Sequence, residues 1–517
     1  MLAMRVMMAV TAAAYVVSPS LMILLILKQV ELSLEYGNIP ESSFAYVFHG
    51  LVLCSVVFDI ESGYQFGLLS LELLHRLGEK RLKASTIFTF NEFVRPWKEH
   101  VKETLQPLLG TYQIGLETGN IEFAAYSIYV YPYYSYFIGK PLVQLEQEMA
   151  QYSHAIAQLK QEAALNWYNV FWQAVLNLMG HSNNPCRLTG NVYDENIQLP
   201  IYQQANDRLG IHTLHLHKCI LHYLFHEYAP AVASSEIAEQ YLDGVTGSLA
   251  VVMFHFYDSL ARLALYPSLP ELEQEAVLTK VSANQEKMKL WANHAPMNFQ
   301  HKYDLVEAEK ARALGQLNAI EWYEKAIAGA RENEYLNEEA LAYELAGQFY
   351  LVKGMPKIAQ VYLRDAHYAY QQWGALAKVK DLEERYPQFL STKTARAMKA
   401  DATISATRMA STSTKGGSEW FDLNSLMKAA QTLSGEIVLG QLLEKMMLIV
   451  IENAGAETGF LLLPQQEQWF IEAQGQVDSD EVHVLQSIPV ENQPIAPTII
   501  QYVERTQEHV VLQDASK

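Results

Sequence analysis

Ala340-Leu341-Ala342-Tyr343-Glu344-Leu345-Ala346-Gly347-Gln348-Phe349-Tyr350 is the stretch that decides the fold. Its small and large apolar residues recur at three- and four-residue intervals, the period of a helix packed against neighbours. Gly354-Met355-Pro356 then stops that helix and opens another. The second helix carries Ala359, Leu363 and Ala366 at i, i+4 and i+7, which fall on one face. Small residues on such a face let an adjacent helix approach closely. Ala319, Tyr323 and Ala326 have the same spacing 40 residues upstream, and Ala231, Ser235 and Ala238 repeat it in weaker form.

Working outward, residues 21 to 390 read as helix after helix. Stop signals recur at Gly37-Asn38-Ile39-Pro40, Gly78, Gly119, Gly139-Lys140-Pro141, Gly210, Pro267 and Gly315. Few segments alternate polar and apolar residues as exposed strands do. The expectation is a mainly α chain: a continuous array of antiparallel helix pairs from about residue 21 to 390, without a sheet. The paired helices with small residues at the crossing and glycine at the turn resemble a tetratricopeptide repeat. That resemblance implies a solenoid with an extended concave face for protein partners. Met1 to Lys28 is very apolar, but Ser18-Pro19-Ser20 splits the run below the length needed to span a bilayer. A buried helix of the array is expected there, rather than an export or membrane segment.

Residues 391–418 break the pattern. Ser391-Thr392-Lys393-Thr394 and Ser411-Thr412-Ser413-Thr414-Lys415-Gly416-Gly417-Ser418 are small and polar, which reads as a linker. Residues 419–517 start with helical spacing at Phe421, Leu423, Leu426, Met427, Ala430 and Leu433. An apolar run, Met446 to Ile451, follows. The period then switches to strand at Gly459-Phe460-Leu461-Leu462-Leu463 and Trp469-Phe470-Ile471-Glu472-Ala473, which predicts a local hairpin. Val510-Val511-Leu512 is strand-like as well. Ser434-Gly435-Glu436-Ile437, Leu442-Leu443-Glu444-Lys445, Ile451-Glu452-Asn453-Ala454-Gly455-Ala456 and Gly459-Phe460-Leu461-Leu462 resemble the opening of a GAF sensor domain. The resemblance implies a core helix at Met446 to Asn453, a first strand at Gly459 to Leu463, and a fold that continues past Lys517. A partial α/β GAF-like unit with an incomplete ligand pocket, less stable than the helical array, is therefore expected after the solenoid at 1–390 and the linker at 391–418.

Composition bounds the function. The 517 residues suggest roughly three domains. Half of them are hydrophobic and 18% are charged, enough to bury a large core. With 38 basic against 57 acidic residues the formal charge is −19, which repels phosphate backbones and argues against nucleic-acid binding. Cys54, Cys186 and Cys219 are too few for a disulfide scaffold and fit a reducing, cytoplasmic compartment.

Catalytic signatures are missing from the sequence. It holds no Gly-x4-Gly-Lys-Ser/Thr phosphate loop, no His-Glu-x-x-His, no Gly-x-Ser-x-Gly elbow and no kinase catalytic loop. Ser153-His154-Ala155 lacks the acidic residue that follows a phosphoacceptor histidine, so a helix-surface position is expected for His154. His212, His215, Cys219, His222 and His226 step by 3, 4, 3 and 4 along one helical stripe. Imidazole and thiol at i, i+4 can chelate zinc or copper, and His215, Cys219 and His222 are the candidates the stripe offers. Leu214, Leu216, Ile220, Leu221, Leu224 and Phe225 fill the other faces, so a polar seam between helices is the expectation and no metal is expected. Tyr126, Tyr129, Tyr131, Tyr133, Tyr134, Tyr136 and Phe137 form an aromatic stretch without Arg or Lys, which fits helix packing better than base stacking. No cysteine lies in 419–517, which excludes thioether attachment of a tetrapyrrole there, and no cofactor is expected.

The whole chain resembles the middle of a family of large signalling proteins. These carry a serine/threonine kinase, an AAA-type ATPase, a long helical-repeat region, a GAF domain and a histidine kinase core. Ala125-Tyr126, Tyr136 to Lys140, Glu239 to Gly247, Phe254 to Ala261, Asn284 to Met288, Trp291 to Asn298 and Asn333 to Ala340 carry the resemblance. It implies a non-catalytic regulatory segment in signal transduction, within or beside a two-component system. Protein partners or adjacent kinase and ATPase domains would bind the repeats, and a homodimer could form through the GAF-like part. The alternatives are a fragment of an ATP-dependent serine/threonine or histidine kinase whose catalytic domains lie outside this chain, and a free-standing adaptor. The family's catalytic residues match no position here.

Overall fold

The computed structural model describes residues 2–390, 458–465, 468–476 and 482–489. The chain divides into two compact units, Met1–Thr403 and Ile404–Lys517, each described by itself.

Twenty α-helices make up the described part of the first unit. They are α1 (Leu2–Val17), α2 (Pro19–Tyr36), α3 (Pro40–Val52), α4 (Ile60–Leu77), α5 (Lys83–Phe93), α6 (Leu105–Thr118), α7 (Ile121–Phe137), α8 (Leu142–Gln158), α9 (Glu162–Leu178) and α10 (Glu195–Ala205). Next come α11 (Arg208–Leu224), α12 (Tyr228–Gln240), α13 (Leu249–Leu265), α14 (Glu271–His294), α15 (Pro296–Ala313), α16 (Ala319–Glu332), α17 (Leu336–Val352), α18 (Pro356–Trp373), α19 (Leu376–Arg385) and α20 (Pro387–Leu390). Among the described residues of this unit the only β feature is an isolated bridge, Thr189 to Asp194. The mainly helical expectation therefore holds, and helix is present from Leu2 as expected, but it is only partly buried: Leu2, Val6, Leu21, Leu24 and Leu27 are exposed. Two stretches, Pro40–Val57 and Leu249–Ser268, are long and apolar enough to cross a bilayer, but 67% and 72% of them is buried inside the unit.

Consecutive helices pair: α3 with α4, α6 with α7, α11 with α12, α15 with α16, and α17 with α18. The small-residue spacing explains the tightness of the later pairs. Ala231, Ser235 and Ala238 on α12, Ala319, Tyr323 and Ala326 on α16, and Ala359, Leu363 and Ala366 on α18 are each no more than 1% exposed. Gly347 of α17 lies under Leu363, where a Cβ would come within 2.8 Å of the leucine side chain. Gly78 and Gly119 end their helices in the left-handed conformation, with φ of 63° and 74°. Gly210 differs from its reading as a stop. It sits in the first turn of α11, its N–H donating to the Asp207 carboxylate at 2.9 Å. In sequence a glycine at either end of a helix looks the same; here the acidic N-cap before it marks a start.

The array does not confine its contacts to sequence neighbours. The turn at residues 95–104 meets α15 and the start of α17, about two hundred positions away. His100 Nε2 lies 3.0 Å from the Asn333 carbonyl, and Lys102 Nζ lies 3.1 Å from Glu334. Gly139, with φ of 76°, lies so close to the α17 N-terminus that a Cβ would come within 2.6 Å of Asn337. An ideal one-dimensional solenoid contacts only adjacent repeats. This chain instead closes its early helices onto its late ones.

In the second unit, β1 (Thr458–Gln465), β2 (Gln468–Gln476) and β3 (Val482–Pro489) form an antiparallel sheet in the order β1-β2-β3. The expected hairpin is present. Leu462 pairs with Ile471 beside a register shift at Leu461/Leu462, and Ile471, fully buried, also faces Ile488. The third strand had not been anticipated, although Val482, Val484 and Ile488 fall on alternate positions. The expected linker, the helix at Met446 to Asn453 and the strand at Val510 to Leu512 lie outside the described residues.

Candidate functional site: buried polar hubs and an aromatic cavity

Three hydrogen-bonded clusters are buried in the helical unit, and several stretches that carry the family resemblance meet inside them. The first centres on Asn298 of α15. Its Oδ1 accepts from Val101 N–H at 3.1 Å and from the Tyr335 hydroxyl at 3.0 Å. Its Nδ2 donates to the Pro96 and Glu99 carbonyls at 2.8 and 2.7 Å. All four bonding positions of the amide are thus used. One turn on, Glu338 accepts from His301 at 2.6 Å and from Lys302 at 2.8 Å. Burial opposes charge on Glu338, but Lys302 and His301 outweigh it and hold its pKa below the ordinary range. The His301 ring is pushed down to about 4, first by burial and then by the adjacent Lys302.

The second cluster centres on Asp258 of α13. Oδ1 accepts from Ser235 Oγ at 2.7 Å and Arg262 Nε at 2.8 Å, and Oδ2 accepts from Asn284 Nδ2 at 2.9 Å. Asn284 also meets His255 Nδ1 at 2.8 Å. His255 and Lys287 line a cavity of about 250 Å³ with Asp243, Trp97 and Trp291.

The third joins α11, α17 and α19. Lys378, with none of its surface exposed, donates to the Leu224 carbonyl at 2.6 Å and to Glu344 and Asp381 at 2.8 Å each. His226 Nε2 lies 2.9 Å from the same Glu344 oxygen, and the Tyr370 hydroxyl donates to the other at 2.8 Å. Burial works against the Glu344 carboxylate, yet the Lys378 ammonium and His226 outweigh it and hold its pKa down to about 2. His226, Glu344 and Asp381 stand close enough to share a metal ion. The ammonium already bonded to both carboxylates supplies the positive charge an ion would bring.

The histidine stripe is distributed among these surroundings. His212 bonds the Ala238 carbonyl of α12 at 2.9 Å, the polar seam expected of it. His222 meets Glu227 at 2.7 Å and, with Cys186, forms the other ligand trio among the described residues. His215 and Cys219 are buried and belong to neither trio. The structure therefore brings His222 to Cys186 and Glu227, not to His215 and Cys219. Burial pushes the His212 and His215 rings down to about 4 and the Cys186 thiol up to about 12. His154 is exposed on α8.

A separate aromatic cavity of about 100 Å³ lies among α5, α7 and α9. The tyrosine stretch of α7 supplies part of its wall, so that stretch does more than fill a core. Glu92 of α5 faces the cavity at 6% exposure, and its carboxyl is raised to about 8 by burial. A lone acid within the apolar run Ile87-Phe88-Thr89-Phe90-Asn91-Glu92-Phe93-Val94 was the sequence signal for this site.

No family model matches the chain. Over 62 residues, 12% of its length, it is 37% identical to hybrid signal transduction histidine kinase G of Dictyostelium discoideum. That stretch covers 2% of the relative's length. The similarity relates the chain to a signal-transduction kinase over this stretch and identifies neither a helical-repeat nor a sensor domain.

Proposed function

We propose that this chain is a non-catalytic regulatory segment in signal transduction: a tetratricopeptide-like helical scaffold coupled to a GAF-type sensor unit, acting in the cytoplasm. The observation that carries the reading is the set of paired helices whose small-large-small faces, Ala319, Tyr323 and Ala326 and Ala359, Leu363 and Ala366, are all buried. Such pairs are the building unit of protein-binding arrays. The short likeness to a histidine kinase and the antiparallel sheet at residues 458–489 support the signalling and sensor parts. The buried acids Glu338, Glu344 and Asp258 are bound by cations, amides and hydroxyls, so these three are not free as general bases, which supports the non-catalytic part at these clusters. Partners are other proteins or neighbouring kinase and ATPase domains, engaged through surfaces of the array.

Incubation of the purified chain with γ-labelled ATP and magnesium tests this. Neither hydrolysis nor label on the protein is expected. Label that survives in a His154→Ala variant overturns the reading by revealing an active site elsewhere. Label lost in that variant overturns it in favour of a phosphoacceptor histidine.

A further inference from the structure

The aromatic cavity is built for a ligand of particular charge. Nine aromatic side chains line it: Tyr15, Phe48, Phe88, Phe93, Phe123, Tyr126, Tyr129, Tyr133 and Trp167. Many already touch one another and so hold the wall in place. Tyr126 stacks on Trp167 at 6.4 Å, Tyr129 meets Trp167 at 6.2 Å, and Phe88 meets Phe123 at 5.5 Å. The titratable groups in the lining, apart from tyrosine, are the two acids Glu92 and Glu122; it contains no lysine, arginine or histidine. Glu122 is exposed and accepts from the Tyr126 hydroxyl at 3.0 Å, so it marks the outer end. Glu92 marks the inner end. Its Oε2, the Thr89 hydroxyl and the Tyr133 hydroxyl are buried and have no hydrogen-bond partner. Buried polar atoms are normally satisfied, so these three are open to a ligand's polar groups or to water.

Ring faces carry negative electrostatic potential and attract cations, most of all when water is excluded. An anion in this cavity would meet the Glu122 carboxylate and no basic side chain. A neutral apolar molecule would leave Glu92 Oε2 and the Thr89 and Tyr133 hydroxyls unpaired. We propose that the cavity is a binding site for a small organic cation bearing an alkylated ammonium group. The aromatic wall holds the methyl groups, Glu92 supplies the counter-charge, and Glu122 receives the cation at the mouth. Burial holds Glu92 largely protonated at neutral pH. A bound cation favours its ionised form, so binding at pH 7 transfers its proton to buffer.

The test is isothermal titration of the full chain with tetramethylammonium, with choline, and with 3,3-dimethylbutan-1-ol, the uncharged isostere of choline. Both cations bind, choline at least tenfold more tightly than the alcohol. Repeating the titration in buffers of different ionisation enthalpy reveals proton release. Glu92→Gln weakens choline at least tenfold, leaves the alcohol unchanged and abolishes the proton release. Trp167→Leu weakens both cations. Circular dichroism and the urea midpoint verify that each variant is folded. Equal binding of the alcohol and choline, choline binding unaffected by Glu92→Gln, or no heat from either cation overturns the proposal.

Discussion

Asn298→Ala removes the amide that holds the 95–104 turn against α15 and α17. The side chain makes four hydrogen bonds of 2.7 to 3.1 Å, to Val101 N–H, the Pro96 and Glu99 carbonyls and the Tyr335 hydroxyl. Val101 and Tyr335 are almost wholly buried, so water cannot readily replace the lost partner. A buried hydrogen bond contributes about 1 kcal/mol net, and a buried group left unpaired costs about 1–3 kcal/mol. The Glu99 carbonyl is only partly buried and can rehydrate, so it adds little. The expected loss is about 3–5 kcal/mol. It should be local at first, because the same bonds join segments about two hundred residues apart. Urea unfolding followed by circular dichroism measures the total, and amide hydrogen exchange at residues 96–104 and 333–337 locates it. Asn293→Ala, at an exposed position on α14, is the control and should shift stability by less than about 0.5 kcal/mol. If Asn298→Ala behaves like this control and neither segment exchanges faster, the closure of early helices onto late ones is not held by this amide.

Lys378→Met should destabilise by about 3–5 kcal/mol, because Glu344 is left as a buried carboxylate facing Asp381. The double variant with Glu344→Leu should recover part of that loss; additive losses in a double-mutant cycle would show that the two do not act as a pair. Stability should also depend on pH with two opposite signs. His212, His217 and His301 have pKa values lowered from 6.5 to about 4, so the unfolded rings bind protons first and stability falls as pH drops from 6.5 to 4. Each ring contributes on the order of 3 kcal/mol to that loss. Glu92 is raised from 4.5 to about 8, so its contribution is present below pH 4.5 and is lost as pH rises to 8. Glu92→Gln should therefore gain on the wild type between pH 5 and 8. Urea midpoints that run parallel across that range would refute the account of Glu92.

The sequence by itself determined the helical array and the location of its tightest crossings. The i, i+4, i+7 rule depends only on the geometry of a helix, so Ala319, Tyr323 and Ala326 declare a packed face without knowledge of their neighbours. The hairpin at Phe460 and Trp469 was legible for the same reason, because its partners are local. Tertiary structure alone decided what the polar residues do. Asn298 reads like any helix asparagine, and Lys378 lies in Leu376-Ala377-Lys378-Val379-Lys380-Asp381, which looks like a solvated face. Their partners, such as Val101 and Leu224, are 197 and 154 residues away. Hydrogen-bond satisfaction is set by distances in space that no periodicity encodes. The histidine stripe held as a seam at His212 but not at its end, for a related reason: α11 ends at Leu224, so His226 leaves the helix with φ of 65° and turns to Glu344. Equal spacing along the chain placed the histidines on one line, but where the helix stopped, and what packed against it, gave each a different partner.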